Sequence, residues 1–156
     1  MSVAARVQSF LEAAGVRYLV ETHPQAFTAQ EVAEVTHVSG REMVKTVIAV
    51  VDGRHMMLAL PATARVDLTM LRHHLGAQAV RLADEAEFAR DFPDCELGAM
   101  PPFGRPYGLR LIASTTLASD EEVTFNAGNH REVIRMSRED WERAAEPEWA
   151  VFTTTR

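Results

Sequence analysis

Apolar residues fall at helical spacing through Val3, Val7, Phe10, Leu11 and Ala14 and stop at Gly15, a residue suited to the left-handed end of a helix. The segment VRYLVET then reads as a short strand. In TAQE, Thr28 is placed as N-cap with Glu31 as its reciprocal partner, which predicts a second helix running toward Val35. The run MVKTVIAVVDGRHMMLAL switches to β-branched and apolar residues on either side of Asp52-Gly53, the strongest hairpin signal in the chain. VDLTMLRHHLG returns to helical spacing, with Asp67 as N-cap, a stripe of Leu68, Leu71 and Leu75, and Gly76 as terminator. DEAEFARDFP predicts another helix, started by Asp84 and halted before Pro93. Farther on, LRLIAS, EVTFNAG and REVIRM read as strands, the last two paired, SREDWERAAEP as a helix capped by Ser137, and EWAVFT as a closing strand. Helices interleaved with hairpin-joined strands predict an α+β fold with a mixed, mainly antiparallel sheet.

With 156 residues, 47% of them hydrophobic, the chain has the size of one domain, expected to span 1–156, and no repeat or linker divides it. No apolar run is long enough to cross a membrane, and Arg6 and Gln8 interrupt the place a signal peptide would need, so a cytoplasmic protein is expected. A single cysteine, Cys95, fits a reducing compartment. Its neighbours Asp94 and Glu96 oppose a thiolate, which argues against a nucleophile. The net charge of −6 excludes an extended grip on a nucleic-acid backbone; a nucleic-acid partner would have to be held over a short stretch only. The histidines show no HxH or HxxxH spacing, and no metal or other cofactor is expected. For the adjacent His73 and His74, one is expected buried and one solvated, and the acidic run at 119–123 is expected to be a solvated turn.

Two features carry candidate chemistry. Against 15 arginines the chain has one lysine, Lys45, in the middle of an apolar strand. Period-2 alternation puts it on the face of Met43 and Val47, where a charge must find a partner or a cavity, and a compact ammonium suits a phosphate or carbonyl oxygen. A lysine snorkelling to water is the alternative. The second feature is GAMPPFG, residues 98–104, whose glycines permit positive φ and whose prolines stiffen the chain and remove donors. Such a loop is either a rigid connector or a preformed binding loop with unpaired carbonyls.

In order and spacing, VKTVI, the DG hairpin, DLTMLRHHLG, GAMPPFG and FNAGNHREVIRM are similar to the YbaK and prolyl-tRNA synthetase editing-domain family, over about residues 20–152. The resemblance implies a curved mixed sheet wrapped by helices and a freestanding hydrolase. Its substrate would be a wrongly attached small amino acid on the 3′ acceptor end of a tRNA, usually tRNA(Pro). DNA and membrane partners are not implied, and an aminoacyl-tRNA synthetase is a candidate second partner. Carried over by position, Lys45 matches the family's essential strand lysine. Gly98, Ala99, Met100, Pro101 and Pro102 match its G-x-x-x-P loop, with Gly98 and Pro102 grouped with Lys45 as catalytic and the rest as substrate-binding. Gly128, Asn129 and His130 match a second glycine turn facing that loop, and Phe27 and Thr28 match the pocket edge. Thr46 stands where the alanine-specific branch has Asn, and Ser114-Thr115 stand where many members carry Asp, which leaves the amino acid open. An aminoacyl ester is already activated, so hydrolysis needs a positioned water, an oxyanion cradle and a positive group rather than a strong nucleophile. The resemblance also suggests that the ribose 2′-hydroxyl activates the water, with His130 as a helper. A module of the same fold that binds without catalysis, or an esterase on another activated ester, would be the competing classes.

Overall fold

The computed structural model describes residues 3–155; Met1, Ser2 and Arg156, at the ends of the expected 1–156 unit, lie outside the described residues. The chain runs α1 (Ala5–Ala14), β1 (Leu19–Thr22), α2 (Ala29–Thr36), β2 (Met43–Val51), β3 (Arg54–Pro61), β4 (Ala64–Val66), α3 (Leu68–Leu75) and β5 (Val80–Leu82). It continues through α4 (Glu85–Phe88), β6 (Leu111–Ser114), β7 (Glu122–Asn126), β8 (Glu132–Ser137), α5 (Arg138–Ala145), β9 (Glu148–Ala150) and β10 (Thr153–Thr155). The main sheet has the order β1-β8-β7-β2-β3-β6-β9, with β5 added on β2, and β4 and β10 form a small second sheet. The pairs β1–β8, β7–β8, β2–β3 and β2–β5 are antiparallel; β2–β7, β3–β6 and β6–β9 are parallel. This is the expected α+β architecture with a mixed, mostly antiparallel sheet.

Sequence signals act where they were read. Thr28 Oγ1 accepts from the Glu31 N–H while the Glu31 carboxylate accepts from the Thr28 N–H, closing the capping box. Asp67 and Ser137 cap α3 and α5 with a single bond each, their side chains accepting from the Met70 and Asp140 N–H groups. Asp52 and Gly53, at φ 47° and 83°, make the tight turn of the β2–β3 hairpin, whose register runs Val44↔Pro61 to Val51↔Arg54.

Alternation along β2 feeds the two faces of the sheet. Val44 and Ile48, with Met57 and Ala59 of β3, join the larger core under α1 and α5, where Val7, Leu11, Phe103, Phe125 and Trp141 are fully buried. Met43 packs instead with Val32 and Ala33 of α2, and Leu58, Leu60 and Ala49 pack with Leu71 of α3 and Phe152. Lys45 therefore leaves the strand on the α2–α3 face and Thr46 on the α1–α5 face.

Several elements differ from the reading of the sequence. The strand expected over 16–22 begins only at Leu19, and the helix expected from Asp84 is one α turn followed by a 3₁₀ turn, Ala89–Asp91, which still delivers Phe88 and Phe92 to the core. The closing strand is split: β9 follows β6, then the chain bends so that Phe152 drops into the second core before β10 pairs with β4. Neither His73 nor His74 is buried, because the buried stripe of α3 is centred on Leu71. The acidic run is not wholly solvated: Asp120 is buried, and its carboxyl titrates above the usual range, first because of burial and then because of Glu42.

Candidate active site

The glycine-proline loop and the second glycine turn are bound to each other. The Glu96 N–H donates to Gly128 O (2.7 Å) and the Gly128 N–H to Ala99 O (2.9 Å). The Glu96 carboxylate accepts from the His130 N–H at 2.7 Å, and His130 Nε2 lies 2.9 Å from Leu97 O. Glu96 thus clamps two segments more than thirty residues apart, a role that sequence reading missed by treating it only as a neighbour of Cys95.

Both glycines are required by conformation. Gly98 has φ +84°, and a side chain there would start 3.7 Å from His130 Cε1, an ordinary contact, so only the backbone excludes other residues. Gly128 has φ +102°, and a Cβ would also lie 2.7 Å from Ala4 Cβ. This close approach lets the Ala4 N–H reach Ala127 O at 2.8 Å and ties the start of α1 to the turn.

The remainder of the loop is more enclosed than its composition suggests. Gly98 is exposed, but Ala99, Met100, Pro101 and Pro102 are buried, with Met100 in the main core. The carbonyls expected to be unpaired are partly in use: Ala99 O serves Gly128, Pro101 O accepts from the Phe103 N–H, and Pro102 O accepts from the indole of Trp141 at 3.1 Å. Met100 and the prolines anchor the loop, and its glycine end faces the turn. Asn129 is likewise committed to shape, its Oδ1 accepting from the N–H groups of Arg131 and Glu132 and its Nδ2 donating to Glu132.

The rim is completed by the segment before α2. The Ala26 N–H donates to His130 O at 3.1 Å, and the Phe27 ring packs against the imidazole, tilted by 49° with 4.9 Å between centroids. Phe27 is 59% exposed, unusual for a large aromatic. Thr28, next to it, spends its hydroxyl on the helix cap.

Lys45 borders a gap in the sheet. β2 pairs with β7 only at Met43↔Thr124 and Val44↔Phe125, then diverges and meets β5 at Ala49. By alternation from Thr124 and Phe125, Asn126 leaves β7 on the same α2–α3 face as Lys45 leaves β2, and the chain then enters Ala127 and Gly128. The loop packs from the α1–α5 face, to which Thr46 also points. The gap between β2 and β7 therefore lies between Lys45 on one side and the loop on the other.

Among the described residues, five buried side-chain atoms have no hydrogen-bond partner: His23 Nε2, Thr46 Oγ1, Asp120 Oδ2, Asn126 Oδ1 and His130 Nδ1. Four belong to the segments that surround this gap. Buried polar atoms are rarely left unpaired because each costs about 1–3 kcal/mol, so these four are expected to be met by groups from outside the chain, water included. Asn126 is a second residue that sequence reading missed, since it looked like an ordinary strand position.

Cys95 does not supply a nucleophile: burial pushes its thiol up to about 12, with Asp94 adding to the effect against the Tyr107 hydrogen bond. Among the described residues no three His, Cys, Asp or Glu side chains form a metal-binding group. A groove of about 330 Å³ lined by Arg41, Thr63, Thr116 and residues 153–155 shares none of the residues assembled here. The arrangement offers a rigid backbone cradle, a cationic strand residue, bare acceptors and an exposed aromatic ring, which together suit an amino acid ester attached to a nucleoside.

Comparison with known proteins agrees with this chemistry. Residues 23–144 match the family model of the aminoacyl-tRNA editing domain. The chain is 29% identical over 155 residues to the multifunctional Ser/Thr-tRNA deacylase ProXp-y of Escherichia coli K12, covering 96% of this chain and 92% of that one. It is also 29% identical over 104 residues to a proline–tRNA ligase of Streptococcus suis, where the match spans 67% of this chain and 17% of the ligase. The fold is shared with a hypothetical protein (TM-score 0.86, 22% identity, 96% of this chain and 99% of that one). It is shared too with a proposed trans-editing enzyme for prolyl tRNA synthetase (TM-score 0.82, 23% identity, 97% and 96%).

Proposed function

Because the chain belongs to the aminoacyl-tRNA editing-domain family, we propose that it is a trans-editing hydrolase, one domain over residues 1–156, that deacylates mischarged tRNA bearing a small amino acid. The observation that carries this reading is the clamped pair of loop and turn, Glu96–Ala99 with Gly128–His130, beside the strand that bears Lys45. In this reading Lys45 faces the terminal adenosine end, Gly98 and its loop backbone bound the scissile ester, and Phe27 offers its exposed face to the terminal base. Met100, Pro101, Pro102 and Asn129 hold that shape rather than touch the ester.

Serine and threonine are the first amino acids to test, since the relative matched along nearly its whole length is a Ser/Thr-tRNA deacylase; cysteine and alanine follow, on tRNA(Pro) and on the cognate tRNAs. The net charge of −6 restricts contact to the single-stranded acceptor end, with a synthetase as a further partner and the cytoplasm as the place of action. The deciding experiment offers seryl-, threonyl-, cysteinyl- and alanyl-tRNA together with simple amino acid esters and measures release of the amino acid. Rapid cleavage of one or more aminoacyl-tRNAs is expected. Cleavage of simple esters alone would make the protein a general esterase, and binding of charged tRNA without cleavage would make it a recognition module.

A further inference from the structure

We infer that Glu96 is the receptor for the α-ammonium group of the amino acid, binding it through Oε2. This rests on the deacylase reading above and adds to it how the site tells an amino acid ester from another ester.

The Glu96 carboxylate is fixed at one oxygen and free at the other. Oε1 accepts from the His130 N–H at 2.7 Å, while the Glu96 N–H donates to Gly128 O at 2.7 Å and Glu96 O accepts from the Ala99 N–H at 3.1 Å. Among the described residues no donor meets Oε2, yet it is not one of the buried unpartnered atoms, and Glu96 is only half-buried. Oε2 is therefore open to solvent and to a solute. Anchored through Oε1, the carboxylate presents Oε2 in a fixed place, so a cation gains a charge-assisted bond without ordering a loose side chain.

Position and charge select the ammonium. Glu96 is the one carboxylate in the segments that make up the site, 23–28, 43–46, 96–102 and 126–130. Those just outside them are engaged elsewhere: Glu31 closes its capping box, Glu42 lies beside Asp120, Asp94 accepts from the Arg6 N–H, and Glu132 Oε1 accepts from Asn129 Nδ2. The loop backbone has few acceptors to spare. Glu96 O, Ala99 O, Pro101 O and Pro102 O each accept a bond inside the fold, and Leu97 O faces His130 Nε2 at 2.9 Å. Lys45, across the gap, repels an ammonium, so the amino group of an ester held against Gly98 turns toward the loop and Glu96. Gly98 is exposed and lies two residues from Glu96. In an aminoacyl ester the ammonium nitrogen is only two bonds from the reacting carbonyl carbon.

The pairing also bears on the reaction. Negative charge developing on the carbonyl oxygen during hydrolysis would be opposed by a bare carboxylate nearby. An ammonium between the two cancels that opposition and favours the developing oxyanion. An α-hydroxyacyl ester, with a hydroxyl in place of the ammonium, meets the uncompensated carboxylate and is disfavoured both in binding and in cleavage.

The test replaces the ammonium with little change in the size of the substrate. Amides of serine and of glyceric acid, its α-hydroxy counterpart, on 3′-amino-3′-deoxyadenosine are not cleaved and can be titrated into the protein at about pH 6, below the range in which an α-amino group loses its proton. The wild type is expected to bind the serine form at least about tenfold more tightly, the scale of a hydrogen bond between charged groups. Glu96→Gln keeps an amide oxygen for the His130 N–H and puts a donor where Oε2 stood, so the preference is expected to vanish with an unchanged melting temperature. Single-turnover cleavage of tRNA charged with serine or with glyceric acid is expected to show the same preference and the same loss. A purely structural role for Glu96 would slow both substrates alike and leave their ratio standing. Equal affinity of the wild type for the two amides, or a preference retained in Glu96→Gln, overturns the inference. A wild type that prefers the serine amide but cleaves no ester overturns the deacylase reading instead and supports the Glu96 site.

Discussion

The two ends of the β2–β3 hairpin are built on opposite terms. At the turn end the polar side chains beside Asp52-Gly53 are closely paired. The Asp52 carboxylate accepts from the N–H groups of Gln78 and Ala79, Arg81 makes two bonds to Glu87, Glu87 also closes the Asp84 capping box, and His55 Nδ1 meets Asp91 at 2.6 Å. At the other end, where β2 leaves β7, lie the bare acceptors of Thr46 and Asn126, the positive-φ glycines 98 and 128, and an aromatic ring in solvent. One strand connects the two. The turn end contributes stability with its hydrogen bonds, whereas the gap end holds unsatisfied groups that the rest of the fold must offset.

The largest expected effect is at Lys45. Lys45→Ala should lower single-turnover deacylation by roughly 10²–10³-fold, the scale for removing one charge-stabilising group, while the melting temperature moves little. Lys45→Arg should recover poorly because the planar fork does not fit a site shaped for an ammonium. Wild-type turnover in Lys45→Ala would remove the gap from the account.

Gly128→Ala comes next, and it should fail in stability. A methyl group 2.7 Å from Ala4 Cβ, on a backbone at φ +102°, should cost roughly 3 kcal/mol, read as a lowered urea midpoint. A midpoint within error of wild type would mean that the join between α1 and the turn yields easily.

Gly98→Val separates loop from connector. The Cβ itself would meet only His130 Cε1, at 3.7 Å, so the main expected cost is the strain of φ +84°, about 1–2 kcal/mol, and turnover should fall well beyond that loss of stability. A parallel fall in activity and stability would make the loop a connector.

The smallest effect belongs to the turn end. Glu87 titrates down near 2, held there first by Arg81 and then by the Asp84 N–H. A depressed carboxylate contributes stability that is full above its ordinary value of 4.5 and is lost as pH falls toward 2. Glu87→Gln should therefore lower the melting temperature slightly at neutral pH, with the difference from wild type closing between about pH 4.5 and 2 and deacylation unchanged. Because the pair is exposed, the difference is small throughout. A gap that persisted at pH 2 would mean the side chain stabilises by packing rather than by charge.

What the sequence made legible follows the same division. Thr28, Asp67 and Ser137 caps, the Asp52-Gly53 turn and the stop at Gly15 are local devices, each written in a few adjacent residues, and they act as read. The segments β4, β5 and β10 have three residues each and draw their pairing from distant partners, so no periodicity announces them. At the site, Lys45 stood out by composition and the glycines by spacing. Glu96 and Asn126 did not, because their importance lies in contacts across the chain: a carboxylate that closes on a residue 34 positions away, and an amide oxygen left bare where two strands part. Asp120 was misread for a related reason, since a run of acidic letters does not reveal which one the fold turns inward.

The end of the hairpin with unpaired acceptors is expected to receive the substrate. An uncleavable analogue, serine or threonine joined by an amide to 3′-amino-3′-deoxyadenosine, can be titrated into ¹⁵N-labelled protein and followed at each backbone amide. Shifts are expected at Phe27, Lys45, Gly98, Asn126 and Gly128–His130, with Asp52, Gly53, Arg81 and Glu87 unmoved. Shifts centred on the hairpin turn, or on the groove at Arg41 and Thr153, with the loop and the 128–130 turn silent, would contradict it.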